Sequence, residues 1–247
     1  MAIRTNTDIK QLGSILSVWA HPDDETFSAA GIMAAAAMNG QQVVCIAATR
    51  GEAGSYDEQR WPTNKLPGIR TAELEAALAI LGIKSHHWLD YKDGHCHEAP
   101  ISQGASRVAK YIELYQPNSI LTFGEDGMTG HLDHIAISRW VTEAVNNLKD
   151  AARYHPDVYH AVTLKKTYEA YLKPADEKLN IYFNIDKPPL NSADECDICF
   201  ELSEALLDKK LKALRAMSSQ TEGLFDALNE KHIRHICKCE SFICSYS

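Results

Sequence analysis

The chain lacks any long apolar run. In its 247 residues, no segment approaches the roughly 20 consecutive apolar residues that a membrane span requires. Residues 1–11 are polar and contain no apolar stretch of the kind found in secretory signals. We therefore expect a cytoplasmic protein without a membrane partner.

Positive charge is also scarce. The 25 Lys and Arg residues are outnumbered by 33 Asp and Glu residues, which gives a net charge of −8 and a pI near 5.7. A surface with this balance repels phosphates, so neither a nucleic acid nor an anionic membrane is an expected partner. The hydrophobic fraction of 45% is ordinary for a globular protein with its own core.

A third absence is a glycine-rich turn after the first predicted strand. Nucleotide-binding Rossmann proteins have such a turn there, where backbone amides meet a pyrophosphate. Here the segment SILSVWA (14–20) is followed by HPDDE (21–25), whose carboxylates would repel a pyrophosphate. This disfavours a nucleotide-dependent oxidoreductase.

Cysteine is present in an odd number, seven, and five of the seven lie in the last quarter of the chain. The spacings of Cys196 with Cys199 and of Cys237 with Cys239 are compatible with four zinc ligands. The surrounding residues alternate as in strands, however, which favours small residues packed in the core. Both interpretations remain open at this point.

The first 150 residues alternate predicted strands with predicted helices. Helices of this length between strands indicate βαβ units, and these imply a parallel sheet covered on both faces. The strands are predicted at 14–20, 41–51, 86–91 and 118–125, and the helices at 26–39, 70–81, 103–115 and 131–148.

We therefore predict an α/β fold, Rossmann-like, with a mostly parallel sheet and a smaller irregular C-terminal portion. The whole chain, 1–247, is expected to be a single domain with a parallel core at about 12–150. The C-terminal portion, about 151–247, contains one candidate strand at 158–163 and an amphipathic helix at 203–218.

Histidines, carboxylates and an arginine follow four successive predicted strands. They lie in the segments HPDDE (21–25), TRGE (49–52), YKDG (91–94) and GEDGMTGHLDH (124–134). Ligands of parallel α/β sheets bind outside the carboxyl ends of the strands. The functional site is therefore predicted at this edge of the sheet.

Two of these segments have the spacing of metal ligands. His131 and His134 are three residues apart on a predicted helix and can share one face, and His21 and Asp24 are three apart across a turn. Two histidines and one carboxylate with open positions suit a catalytic zinc or ferrous ion. An isolated His-x-x-His is more often a surface or packing feature, but its occurrence together with HPDDE favours a metal site.

The motifs AHPDDE (20–25) and GHLDH (130–134) resemble those of the LmbE-like, or PIG-L, superfamily of zinc-dependent N-acetylglucosamine deacetylases. Weaker similarities lie at TRGEAG (49–54), IRTAELEAALAILGI (69–83), KLKALRAMSSQ (210–220) and ESF (240–242). The chain departs from many members at Met217, where they have histidine, and at Thr129, where some have tyrosine.

The resemblance implies a role for each matching residue of the metal site. His21, Asp24 and His134 match the three metal ligands, and Asp23 matches the general base that activates water. The implied cofactor is one divalent metal ion, Zn²⁺ or Fe²⁺.

The same resemblance implies the remaining roles. His131 matches the histidine that stabilises the oxyanion or protonates the leaving amine, and Asp133 the acid that orients and charges His131. Arg70 matches a substrate-binding arginine, and Asp93 and Glu52 match acids on the substrate side.

The implied function is a hydrolase that removes an acetyl group from an N-acetylglucosamine-type sugar or its conjugate. Its partner would be a small N-acetylated sugar, and relatives suggest a homo-oligomer. One alternative is an amidase of the same superfamily acting on thiol-sugar conjugates. The other is a non-catalytic metal-binding protein, which the intact base Asp23 disfavours.

Overall fold

The computed structural model describes residues 3–150, 154 and 156–246. Seven strands form one sheet in the order β3-β2-β1-β4-β5-β9-β8, and β6 and β7 pair separately. The strands are β1 (Ile15–Trp19), β2 (Val43–Ala47), β3 (Ser85–Trp88), β4 (Ser119–Phe123), β5 (Asp157–Ala161), β6 (Thr163–Leu164), β7 (Leu190–Asn191), β8 (Ile198–Glu201) and β9 (Cys239–Tyr246).

The five predicted helices are present, with small shifts at their ends, whereas the five others were not predicted, and the last of them ends at Cys237, where the alternation had indicated a strand. The helix predicted at 70–81 begins earlier, at Leu66, because Pro67 fits the first turn of a helix. The helices are α1 (Asp24–Met38), α2 (Leu66–Leu81), α3 (Ile101–Tyr115), α4 (Gly127–Gly130), α5 (Leu132–Asp150), α6 (Lys165–Thr167), α7 (Lys173–Leu179), α8 (Glu204–Ala216), α9 (Ser218–Ala227) and α10 (Glu230–Cys237). Within the described ranges, none is long and apolar enough to cross a membrane.

The predicted α/β class is confirmed. Strands β1 to β5 pair in parallel, with Ile15 opposite both Val43 of β2 and Ser119 of β4. The C-terminal portion is more regular than predicted, since β9 runs antiparallel between β5 and β8 and extends the sheet. The single-domain assignment remains a prediction, and residues 1–2, 151–153, 155 and 247 lie outside the described part.

The centre of the sheet is fully buried, and this places the site. Every residue of β1, β2 and β4 is buried, as expected for parallel strands covered on both faces. Trp19 at the end of β1 packs edge-on against Phe123 at the end of β4, with ring centroids 4.9 Å apart. The turns that carry HPDDE and GHLDH therefore follow two adjacent, rigidly packed strand ends.

Candidate metal centre

The turn between β1 and α1 is strained at one residue. Asp23 has φ 124° and ψ −34°, a conformation that L-residues rarely adopt and that costs about 1–3 kcal/mol. The buried carboxylate of Glu25 accepts a hydrogen bond of 3.0 Å from the Asp23 N–H. Burial raises the pKa of Glu25 to about 8. Glu25, the last acid of HPDDE, therefore helps to hold Asp23 in this conformation.

Three predicted ligands converge beside this turn. His134 Nε2 lies 3.3 Å from both Asp24 Oδ1 and His21 Nδ1, and His21 Nδ1 lies 3.5 Å from Asp24 Oδ2. Ligands bonded to zinc at ~2.0–2.2 Å in a tetrahedral arrangement are ~3.3–3.6 Å apart. The three side chains therefore have the separations that a shared divalent ion requires.

His134 presents the correct nitrogen to this centre. Its Nδ1 lies 3.0 Å from the carbonyl oxygen of Gly127, and because a carbonyl only accepts, Nδ1 carries the proton and Nε2 the free lone pair. Phe123 stacks on the imidazole at a centroid distance of 4.0 Å. Burial lowers the pKa of His134 to about 4, so the ring is neutral, as a metal ligand must be.

His21 is oriented by two acids on its far side. Its Nε2 lies 2.9 Å from Asp93 Oδ1 and 3.4 Å from Asp133 Oδ2. Burial alone would lower the pKa of His21, but Asp133, Asp24 and Asp93 outweigh it and raise the pKa well above its usual value. Metal binding at Nδ1 must therefore displace a proton.

Asp93 and Glu52 interlock the loops that follow β2 and β3. Asp93 accepts a 2.8 Å hydrogen bond from the N–H of Ala53, and its own N–H donates to Glu52 Oε1 at 2.9 Å. These contacts hold Asp93 against His21. The substrate-side roles expected for both acids remain predictions.

Asp133 contacts His21 more directly than the expected partner His131. Its carboxylate accepts hydrogen bonds from the N–H groups of Gly94 (2.8 Å) and Cys96 (2.9 Å) in addition to its contact with His21. Burial would raise the pKa of Asp133, but His21 and these bonds lower it well below its usual range. The expected link to His131 runs instead through the Asp133 backbone.

The backbone N–H of Asp133 donates to His131 Nδ1 at 3.2 Å. The proton of a neutral His131 ring is therefore on Nε2. Burial and the neighbouring His21 lower the pKa of His131. The ring can thus donate from Nε2 without carrying a charge, and the cationic role that the resemblance implies remains a prediction.

Arg70 is buried at the centre of the site, with 3% of its surface exposed. Its guanidinium lies 3.2 Å from Asp23 Oδ2 and donates to the carbonyls of Gly51 (2.8 Å) and Pro22 (2.5 Å). A side chain at Gly51, where φ is +67°, would collide with the guanidinium. Burial raises the pKa of Asp23 to about 7, although Arg70 opposes the rise. Substrate binding by Arg70 remains a prediction, but its observed contact is with the candidate base.

A second group, His21, His131 and Asp133, also has ligand atoms within 4.8 Å of one another. It is the poorer metal site, because both carboxylate oxygens of Asp133 already accept backbone hydrogen bonds. In the described part of the chain no candidate metal group contains cysteine. Cys199 and Cys239 instead lie on neighbouring strands with their sulfurs 3.5 Å apart.

The motifs that build this centre lie in a segment that matches a known protein family. Residues 16–145, just over half of the chain, match the family described as "PIG-L: GlcNAc-PI de-N-acetylase". The chain belongs to the PIG-L family. The family match contains both HPDDE and GHLDH, and therefore all three candidate ligands.

Curated relatives align over most of the chain. A 1D-myo-inositol 2-acetamido-2-deoxy-alpha-D-glucopyranoside deacetylase of Acidothermus cellulolyticus is 29% identical, covering 87% of this chain and 83% of the relative. A probable N-acetyl-alpha-D-glucosaminyl L-malate deacetylase 2 of Bacillus cereus is 30% identical, covering 88% of both chains.

Solved structures share the PIG-L fold. The N,N'-diacetylchitobiose deacetylase of Pyrococcus horikoshii superposes with a TM-score of 0.63 at 20% identity, covering 96% of this chain and 85% of the other. The 4-carboxy-2-hydroxymuconate hydratase GalB has a TM-score of 0.56 at 18% identity, covering 95% and 97%. Because a hydratase has this fold too, the fold alone does not define the activity.

Proposed function

We propose that this PIG-L family member is a metal-dependent deacetylase, with zinc as the ion, that removes the N-acetyl group of N-acetylglucosamine-type sugars. The observation that carries the proposal is the convergence of His21, Asp24 and His134, with Asp23 directly adjacent. The curated relatives named above, whose printed names are those of glucosaminide deacetylases, support the same class of substrate.

The residues present fit a divalent ion. His21 Nδ1, an Asp24 oxygen and His134 Nε2 would hold it, since their other polar atoms are occupied by protein partners. Such an ion polarises an amide carbonyl and lowers the pKa of water from 15.7 to roughly 7.

Asp23 would act as the general base. Its side chain is 17% exposed whereas that of Arg70 is 4% exposed, so the carboxylate is reachable from the site while the arginine holds it from behind. A base is most effective when its pKa lies near the working pH, and the pKa of Asp23 is about 7. Held in one orientation, it can receive a proton from water and return it to the departing amine.

His131 would donate a hydrogen bond to the oxygen that becomes negative as the amide carbon turns tetrahedral. The Asp133 N–H on Nδ1 keeps the transferable proton on Nε2. Removal of one such donor in other hydrolases costs about 3–4 kcal/mol of transition-state stabilisation. His131 can supply this interaction without being charged.

The proposal is tested by acetate release. The metal-stripped protein is assayed with zinc or ferrous iron on N-acetylglucosamine, its methyl glycoside and N-acetylgalactosamine. We expect N-acetylglucosamine and its methyl glycoside to release acetate only when metal is present. Zinc should restore acetate release, and a chelator should inhibit it. Acetate release that survives complete metal removal, or its absence from every sugar with either ion, would refute the proposal.

We also propose a cytoplasmic homo-oligomer, supported by the family resemblance. Light scattering of the purified protein at several concentrations measures its mass in solution. A mass equal to the 27.5 kDa chain throughout would exclude the oligomer.

A further inference from the structure

Four large apolar side chains are exposed on segments that carry or contact the site. Phe27 is 39% exposed, Tyr56 79%, Leu132 54% and Phe183 66%. Single exposed apolar residues are common on protein surfaces and require no explanation. Several close to one candidate active site are informative, because exposed apolar groups that cluster often mark a binding surface.

Two of the four are joined to the site by the backbone. Leu132 lies between His131 and Asp133 at the start of α5. Phe27 lies in the first turn of α1, and its N–H donates to the carbonyl of Asp23 at 2.9 Å. Both side chains therefore arise within one helical turn of a proposed catalytic residue.

Tyr56 is joined to the site through packing. It lies two residues after Gly54, and a Cβ atom on Gly54 would be 2.9 Å from Nη1 of Arg70. Arg70 in turn contacts Asp23. The loop that carries Tyr56 therefore borders the candidate base.

Phe183 belongs to a segment that packs on the other side of the site. A Cβ atom on Gly130 would lie 2.2 Å from Ile185 Cγ2 and 3.3 Å from Asn184 Cβ. Gly130 directly precedes His131, so the segment with Phe183 contacts the turn that presents this histidine.

The arginines of the loop after β2 and the start of α2 are all engaged with carboxylates. Arg50 pairs with Asp90 at 3.0 Å, Arg60 with Glu222 at 2.5 Å and Arg70 with Asp23 at 3.2 Å. An anionic group on a substrate that bound to one of these guanidiniums would have to displace its acid. The segments around the site thus offer a substrate exposed apolar side chains more readily than a free guanidinium.

We propose that the preferred substrates are N-acetylglucosaminides with a neutral, apolar aglycone that packs against Phe27, Tyr56, Leu132 and Phe183. This inference rests on the proposed deacetylase function and adds the class of aglycone. Burial of apolar surface from both partners would favour such substrates over a bare sugar or a glycoside with a charged aglycone.

The test compares methyl, n-octyl and L-malyl α-N-acetylglucosaminides on the zinc-loaded protein, with the octyl compound kept below its micelle concentration. We expect kcat/KM for the octyl glycoside to exceed that for the methyl glycoside at least tenfold, and the malyl glycoside to be no better than methyl. The Tyr56→Ser and Phe183→Ser double variant should reduce the octyl-to-methyl ratio at least fivefold. Leu114→Ser and Met38→Ser, at exposed apolar positions outside these segments, should leave the ratio unchanged.

Equal kcat/KM for octyl and methyl glycosides, a preference for the malyl glycoside, or an equal loss in the control variants would overturn the inference. If the proposed deacetylase function itself is wrong, the methyl glycoside releases no acetate, and this outcome distinguishes the two failures. In that case calorimetry still measures the affinity of octyl α-glucosaminide for the four apolar side chains. Equal affinity in the parent and the double variant would contradict the apolar site.

Discussion

Two buried groups of charged residues meet the same helix, α1, and they differ in electrostatic balance. The ammonium of Lys210 lies 2.8 Å from Glu240 Oε1 and donates to the Phe27 carbonyl at 2.7 Å. Glu240 also accepts from the N–H groups of Gly31 and Ile32, each at 2.8 Å. This pair of opposite charges has a protein partner for each charged group, although both side chains are almost fully buried.

The group at the start of α1 has no such balance. Asp23, Asp24, Glu25, Asp93 and Asp133 surround His21 and Arg70. Burial, with a smaller contribution from neighbouring carboxylates, raises the pKa of Asp23 and Glu25, and the carboxylates raise the pKa of His21. Burial and like charges raise the pKa of an acid because they disfavour its ionised form. A structural ion pair is complete within the protein, whereas a cation from outside would balance this site, as expected for the proposed metal centre.

The most severe disruption of the unbalanced group should come from His134→Ala. It removes one of three ligands, so we expect the variant to lose its bound metal and at least ~10³-fold in kcat, the scale on which metal catalysis contributes. Metal content by mass spectrometry and acetate release are measured together, with His86→Ala as the control. Full metal occupancy in the variant would remove His134 from the ligand set.

The balanced pair should behave in the opposite way. Lys210→Met leaves Glu240 buried and unpaired, so the free energy of unfolding should fall by ~3–5 kcal/mol. Adding Glu240→Leu should recover most of this loss, because an apolar pair can replace a buried ion pair. Urea denaturation measures both variants. A double variant as unstable as the single one would show that Glu240 is needed for its α1 contacts, not for charge balance.

Asp23→Asn separates the base from the ligands. It keeps the shape of the side chain and all three ligands, so we expect one equivalent of metal and a kcat lowered ~10²- to 10⁴-fold. Asp57→Asn on the neighbouring loop is the control. Turnover near the parental value would exclude Asp23 as the base.

Arg70→Met should reduce kcat/KM more than tenfold without loss of metal, since the arginine contacts Asp23 and none of the three proposed ligands. Arg70 lowers the pKa of Asp23, so its removal raises that pKa and should move the acidic limb of the kcat profile to higher pH. An effect on KM alone, with an unchanged pH profile, would favour a role in substrate binding only.

The smallest expected effect is the pH dependence of metal affinity. The raised pKa of His21 means that a proton competes with the ion at Nδ1. The affinity for zinc should therefore increase with pH, by up to about tenfold per unit for one displaced proton, until the pH passes the pKa of His21. Zinc competition assays between pH 6 and 8 measure this slope, and a flat profile would mean that His21 is already neutral.

The sequence predicted the ligand set because His21 with Asp24, and His131 with His134, lie in two short motifs that follow strands. It did not predict which acids orient His21, since Asp93 and Asp133 approach it from other loops whose paths the spacing does not define. The positive φ of Asp23 was not predicted either, because glycine is the residue type that normally indicates such a conformation.

The Lys210–Glu240 pair illustrates the same limit. On an amphipathic pattern a lysine is normally assigned to the exposed face of a helix, yet Lys210 is 1% exposed. Its partner lies 30 residues away on β9. Strands β8 and β9 join the sheet in antiparallel pairing. The βαβ pattern of the first half of the chain predicts only parallel strands, so it gave no indication of this pairing.

A cobalt(II) titration of the metal-stripped protein, with visible absorption and acetate release recorded on the same samples, shows whether the three ligands form a catalytic metal centre. We expect both signals to saturate together at one equivalent per chain, and His134→Ala to lose both. Saturation of the absorption in His134→Ala as in the parent, or acetate release before any cobalt is added, would contradict a catalytic centre built from His21, Asp24 and His134.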